Sequence, residues 1–290
     1  MYILKVIVCI WSVLFLQLCS GDSVKSTCVV TAMDAKYMPC VAKLVPQFRA
    51  QGEFYGPIFI LAHKDILQRE EDRLAVRTIT EEYDVQLVTY DPWSTSDGRV
   101  DSSANYLRLY IFTDPRFRTW CDIVLYVDAD TVIQHPIYPL FELFNQQHKQ
   151  YKIGLLDYYP IIMRDNGHGI GKKSLAEQEF SGPVPISDTL SPGASCQILI
   201  DLVALSNTSA IEISLKKMHD QYGQWFKYKD QTLLNVFFRD EYCVMWPCID
   251  NIILRDRDGP VNTRQNFDTC ADQSPNLILI HDWQKRCLSR

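Results

Sequence analysis

The chain has 290 residues, of which 47% are hydrophobic and 12% aromatic, with a formal net charge of −6. That apolar content is enough for a packed core and excludes an intrinsically disordered chain. The acidic balance argues against nucleic acid, or an anionic membrane surface, as the main partner.

The first segment, "MYILKVIVCIWSVLFLQLCSGDSVKS", carries one basic residue (Lys5), an apolar run from Val6 to Leu18, then small Ser20 and Gly21. This is the pattern of a secretory signal peptide over residues 1–21. The alternative is a short signal anchor. The run is shorter than the roughly 20 residues that span a bilayer comfortably, and folded sequence resumes by Thr27, so cleavage is expected. Membrane contact would follow only if the segment is retained. Beyond it, residues 27–290 read as a single domain. Eight cysteines remain there: Cys28, Cys40, Cys121, Cys196, Cys243, Cys248, Cys270 and Cys287. An even number in an exported chain predicts up to four disulfides of undetermined pairing. Asn207-Thr208-Ser209 is a glycosylation sequon, consistent with the same secretory compartment.

Apolar runs then alternate with amphipathic stretches. "TCVVTA" at 27–32, "GPIFILA" at 56–62 and "DVQLVTY" from Asp84 read as strands, with helices over 36–51 and 64–80. This alternation predicts an α/β fold with a parallel, doubly wound sheet, which binds ligands beyond the carboxyl ends of its strands. A helix is expected from Ser102 to Thr113, with Arg108 off its apolar stripe. A fourth strand follows in "CDIVLYVDADTVIQHP", residues 121–136. Its apolar residues suit a strand covered on both faces, but it ends in Asp128 and Asp130, separated by Ala129. Two carboxylates there repel and resist desolvation unless a cation sits between them. Further on, "PLFELF" reads as a short helix and "YKIGLLD" as a strand. Residues 157–195, rich in Gly, Pro and Ser, read as a long loop excursion near the site. "CQILIDL" is a strand, 211–222 a helix, "KDQTLLNVFF" another helix and "NLILIH" at 276–281 a last strand.

The D-x-D spacing alone says little, because Asp256-Arg257-Asp258 has it too, in a polar stretch that suits a solvated loop. "DADTV" at 128–132 also fits the first motif of haloacid-dehalogenase-type phosphatases. That motif normally lies on a first strand, whereas here three strands precede it, and no later Gly-Asp-x-x-x-Asp segment follows. Four ordered segments point elsewhere. "VVTAMDAKYMPCVAKLV", "SANYLRLYIF", "IVLYVDADTVIQHPIYPLF" and "KDQTLLNVFF" together resemble glycosyltransferase family 8, the retaining family that includes glycogenin and bacterial lipopolysaccharide galactosyltransferases. The resemblance runs from about residue 27 to residue 281 and is weakest across 157–195.

The resemblance implies a GT-A-type fold, a mostly parallel central sheet flanked by helices. It implies transfer of a hexose or pentose from a UDP-sugar to a glycan, glycoprotein or glycolipid acceptor, assisted by Mn²⁺ or Mg²⁺. Thr31, Asp34 and Tyr37 fall where the family holds uracil, and Arg108 beside the diphosphate. Asp128, Ala129 and Asp130 form the nucleotide–metal motif, with Asp128 and Asp130 as metal ligands and Asp128 also toward the ribose. His281 falls at the third metal ligand, and Asp230 with Gln231 at the catalytic acid–amide pair near the sugar. Lys285 is a candidate for the β-phosphate. Two departures stand out: Ala194-Ser195-Cys196 replaces the family's Asn-Ser-Gly, and Asp282-Trp283-Gln284-Lys285-Arg286-Cys287 replaces Gly-x-x-Lys-Pro-Trp. The sequence therefore predicts a UDP-sugar glycosyltransferase of the secretory pathway. A non-catalytic protein of the same fold that binds UDP or metal is the alternative, and the phosphatase is third.

Overall fold

The structure, a computed structural model, describes residues 25–94, 98, 100–101, 104–147, 150–157, 193–205, 207–226, 228–238, 242–245, 252–255 and 279–282. The segment 1–21, Lys285 and nearly all of the 157–195 excursion lie outside these residues. Among the described residues no helix is long and apolar enough to cross a membrane.

The elements follow in chain order. β1 (Thr27–Met33) leads into α1 (Met38–Ala50), β2 (Ile58–His63) and a 3₁₀ turn (Lys64–Leu67). Next come α2 (Glu70–Tyr83), β3 (Gln86–Tyr90) and two short strands, β4 (Trp93–Ser94) and β5 (Val100–Asp101). A 3₁₀ segment (Ala104–Leu109), α3 (Tyr110–Thr113) and α4 (Arg116–Trp120) precede β6 (Ile123–Asp128), β7 (Thr131–Ile133) and α5 (Tyr138–Gln147). The remainder is β8 (Ile153–Asp157), β9 (Gly193–Asp201), α6 (Thr208–Tyr222), α7 (Asp230–Phe237), β10 (Tyr242–Met245), β11 (Ile252–Arg255) and β12 (Leu279–Asp282).

The main sheet has seven strands in the order β10-β8-β9-β6-β1-β2-β3. Its neighbours pair in parallel except β9, which runs antiparallel to both β6 and β8. β1, β2 and β6 are apolar on both faces because both faces are covered. Alternate residues feed two cores: Val29 and Met33 of β1 pack with α1 on one side, Val30 and Ala32 with the 104–112 segment on the other. A second, three-stranded sheet in the order β11-β12-β7 adjoins the site.

The sheet reverses direction of growth between β1 and β6, which are paired through Ala32 opposite Asp128. A crevice opens at such a switch point, beyond the carboxyl ends of the strands. At the other end of the same pair, Cys28 and Cys121 form a disulfide that closes a separation of 93 residues. Cys40 is also disulfide-bonded, whereas Cys196 is free and buried. With one of the eight cysteines unpaired, the number of internal disulfides cannot reach four.

Three local readings are corrected. Where the helix from Ser102 to Thr113 was expected, the described residues form a 3₁₀ segment (Ala104–Leu109) joined to a single α turn (Tyr110–Thr113). Tyr106, Leu107, Arg108 and Leu109 are all buried in succession, and an amphipathic α-helix would have turned some of them to solvent. The helix expected over 64–80 is broken at Gln68 and Arg69, and its α portion begins at Glu70 with three acidic residues in the first turn, where the helix dipole favours them. The excursion expected over 157–195 loses its ends to strands, since Asp157 closes β8 and Gly193 opens β9.

Candidate functional site

A cavity of about 270 Å³ lies at the switch point, lined by Ala32, Asp34, Tyr37, Ala104, Asn105, Arg108, Tyr126, Asp128, Ala129 and Asp130. Six of the residues singled out in the sequence meet there. Asp34 follows β1, and its Oδ1 accepts a hydrogen bond of 2.9 Å from the Tyr37 backbone N–H. That bond fixes the turn into α1 and holds the Tyr37 ring beside the cavity. Asp128 closes β6, and Asp130 is buried two residues beyond it. Thr31 is not brought to the cavity. Strand side chains alternate between faces, so Thr31 points away from Ala32 into the α1-side core, where its hydroxyl is buried without a hydrogen-bond partner.

Arg108, which the resemblance puts beside the diphosphate, lies inside the protein. It is 4% exposed and holds the site together. Its Nη2 pairs with Asp128 Oδ1 at 3.0 Å and its Nε with Asp230 Oδ2 at 3.0 Å. Its Nη1 donates to the backbone oxygen of Ser195 and, at 3.0 Å, to the Ser195 hydroxyl. The guanidinium lies 4.8 Å from the centre of the Tyr126 ring, within cation–π range. Burial alone would lower the Arg108 pKa, but the charges of Asp128 and Asp230 outweigh it and raise the value, so the group stays charged.

Asp230 opens α7 immediately after Lys229, whose φ of 47° is rare for a residue with a side chain. Burial pushes the Asp230 pKa up to about 6; Arg108 opposes the shift and Asp128 adds to it. Behind Arg108, Ser195 connects the pair. Its hydroxyl lies 3.4 Å from Asp230 Oδ2, and its backbone N–H donates to Gln231 Oε1 at 3.2 Å. Asp230 and Gln231 are thus joined to the cavity through Arg108 and Ser195 and are not among its lining residues.

Two participants were given no role by the sequence reading. Tyr126 donates from its hydroxyl to Asp128 Oδ1 at 2.8 Å; an i, i+2 pair on one strand shares a face, so that contact was readable. Ser195 was marked only as the middle of Ala194-Ser195-Cys196, and it is the antiparallel return of β9 beside β6 that brings it to the carboxyl edge.

No protein-family model and no curated protein matches the chain. Solved structures do. The galactosyltransferase LgtC, in complex with donor and acceptor sugar analogs, matches at a TM-score of 0.58 and 15% identity, over 88% of this chain and 87% of that one. The glycosyltransferase GlyE of Streptococcus pneumoniae TIGR4 matches at a TM-score of 0.55 and 18% identity, over 89% of this chain and 54% of that one. The bifunctional glycosyltransferase WbbM matches at a TM-score of 0.56 and 15% identity, over 90% of this chain and 46% of that one. The chain therefore spans about half the length of GlyE and WbbM. This is the GT-A glycosyltransferase fold.

Within the GT-A fold, the cavity lining sets three carboxylates, Asp34, Asp128 and Asp130, against a single guanidinium. Hard oxygen donors short of positive charge suit Mn²⁺ or Mg²⁺. Among the described residues no three His, Cys, Asp or Glu side chains form a ready cage. The backbone of β12, however, sets His281 opposite Thr131, the residue after Asp130.

Proposed function

We propose that the protein is a retaining glycosyltransferase of the secretory pathway that transfers a hexose or pentose from a UDP-sugar to a glycan-bearing acceptor. The observation that carries this reading is the cavity at the β1–β6 switch point, where Asp34, Tyr37, Arg108, Asp128, Ala129 and Asp130 converge, with Asp230 and Gln231 behind it. Tyr37 offers a ring for the uracil to stack on, and Asp34 a carboxylate to accept from its N–H. Arg108 supplies a permanent positive charge beside Asp128, where a diphosphate would approach. A Mn²⁺ or Mg²⁺ held by Asp128 and Asp130, with His281 as third ligand, would neutralise charge developing on the departing UDP.

In the transfer, the bond from the anomeric carbon to the UDP oxygen breaks. A bond from that carbon to an acceptor oxygen forms on the same face, and the acceptor hydroxyl releases its proton. Asp230 and Gln231, joined to the cavity through Arg108 and Ser195, would orient the sugar and stabilise positive charge at the anomeric carbon. The Cys28–Cys121 disulfide supports an oxidising compartment.

The test is UDP release by the protein beginning at Gly21 or Asp22, across a panel of UDP-sugars, with Mn²⁺ and with EDTA. Metal-dependent release from one donor, reduced at least about 100-fold in Asp130→Ala, is expected. A binding-only protein is the second reading, favoured by the engagement of Asp230 with Arg108 instead of with the cavity. It would give no turnover with any donor or glycan acceptor, while UDP still raised the melting temperature in the presence of Mn²⁺. Neither release nor stabilisation would overturn both readings.

A further inference from the structure

The chain contains one sequon, Asn207-Thr208-Ser209. Its place in the fold is specific. Asn207 is exposed and is the N-cap of α6. Its Oδ1 accepts from the backbone N–H of Ser209 at 3.0 Å and of Ala210 at 3.2 Å. The cap uses only the oxygen of the amide, and among the described residues Nδ2 makes no hydrogen bond. Ser209 is exposed as well, so both side chains that a modifying enzyme must reach face solvent.

The site also lies at the end of the molecule away from the cavity. β9 runs antiparallel to β6, so its last residue, Asp201, stands opposite Ile123 at the amino end of β6. The cavity is at Asp128, five residues along. At about 3.3 Å per residue the two ends of the strand are roughly 16 Å apart. A bulky group on the loop after Asp201 leaves the switch-point crevice open.

We propose that Asn207 carries an N-linked glycan. The donor is a lipid-linked pyrophosphate oligosaccharide. Nδ2 attacks the anomeric carbon of its first sugar, and the bond from that carbon to the pyrophosphate oxygen breaks. The lipid pyrophosphate leaves, and Nδ2 gives up one of its two protons. Oδ1 is untouched, so the α6 cap survives the modification. The proposal rests on the secretory location in the functional reading but not on sugar transfer by the site.

The full chain, with its amino-terminal segment, is expressed in a eukaryotic secretory host beside Ser209→Ala, which removes the sequon and keeps the Asn207 cap. Peptide-N-glycosidase treatment is expected to increase the mobility of the unmodified sequence on a gel and to leave aspartate at position 207 by mass spectrometry. Ser209→Ala should run at the deglycosylated position before treatment, with an unchanged melting temperature relative to the deglycosylated protein. An unmodified Asn207 in folded protein recovered from the host overturns the proposal. A glycan at Asn207 in a protein that turns over no UDP-sugar would sustain the proposal and separate it from the transferase reading.

Discussion

Two carboxylates share the Arg108 guanidinium, but they sit in different surroundings. Asp128 lies on the rim, with its side chain 24% exposed, bonded to Tyr126 and lining the cavity. Asp230 lies in the floor, with its side chain 3% exposed, under Ser195 at the start of α7. The rim can be reached by a ligand and by water. The floor meets the cavity only through Arg108 and Ser195, and burial there raises the Asp230 pKa. One cation serving two carboxylates thus divides the site into a part suited to binding an ion or a diphosphate and a part whose charge the protein itself sets.

Removing the shared cation breaks both halves and should have the largest effect. Arg108→Met leaves two carboxylates without their guanidinium, one of them fully buried, and a buried pair that loses one partner is destabilised by about 3–5 kcal/mol. Urea denaturation would read this as a large fall in the midpoint. A midpoint within error of the parent would mean that Arg108 does not hold the site together.

Asp230→Asn acts on the floor alone. The amide keeps the shape and abolishes the charge whose burial raised the pKa, so the melting temperature should stay close to that of the parent. UDP release should nonetheless fall by about 100-fold or more, the usual cost of losing one preorganised electrostatic contact. The same residue sets a pH dependence. Its folded-state pKa, about 6, exceeds the 3.8 of an ordinary aspartate, so between these values the native state holds more protons than the unfolded state. Stability contributed by this group is present in full below the unfolded value and is lost as pH rises through about 6. Activity should run the other way, falling as pH drops through about 6 while Asp230 becomes neutral, and that limb should vanish from the residual activity of Asp230→Asn.

The rim carries the smallest effect. Tyr126→Phe deletes only the 2.8 Å bond to Asp128, leaving the ring under Arg108. About 1 kcal/mol of stability is expected to go, with weaker UDP binding and an unchanged pH limb. A shifted limb would show that rim and floor are coupled more tightly than their separate surroundings suggest.

The sequence alone determined the strand–helix alternation, the burial of the run from Ile123 to Val127 and the position of Asp128 and Asp130 at its end. Each follows from local rules, the hydrophobic period and the placement of charge where an apolar run stops. The resemblance also pointed to Asp34, Tyr37 and Arg108, which the structure brings to the cavity, and to Thr31, which it does not. Thr31 faces the core because strand side chains alternate. The 104–109 segment is 3₁₀ and buries Tyr106, Leu107, Arg108 and Leu109 in succession, which puts Arg108 in the interior. Only the tertiary structure decided that Ser195, 87 residues from Arg108, would accept its hydrogen bonds, and that Asp128 and Asp230, far apart in the chain, would share one guanidinium. Those contacts depend on the antiparallel return of β9 and the docking of α7. Such non-local pairing leaves no period in the sequence, because the energy that fixes it comes from excluding water around charges that meet only after the sheet has formed.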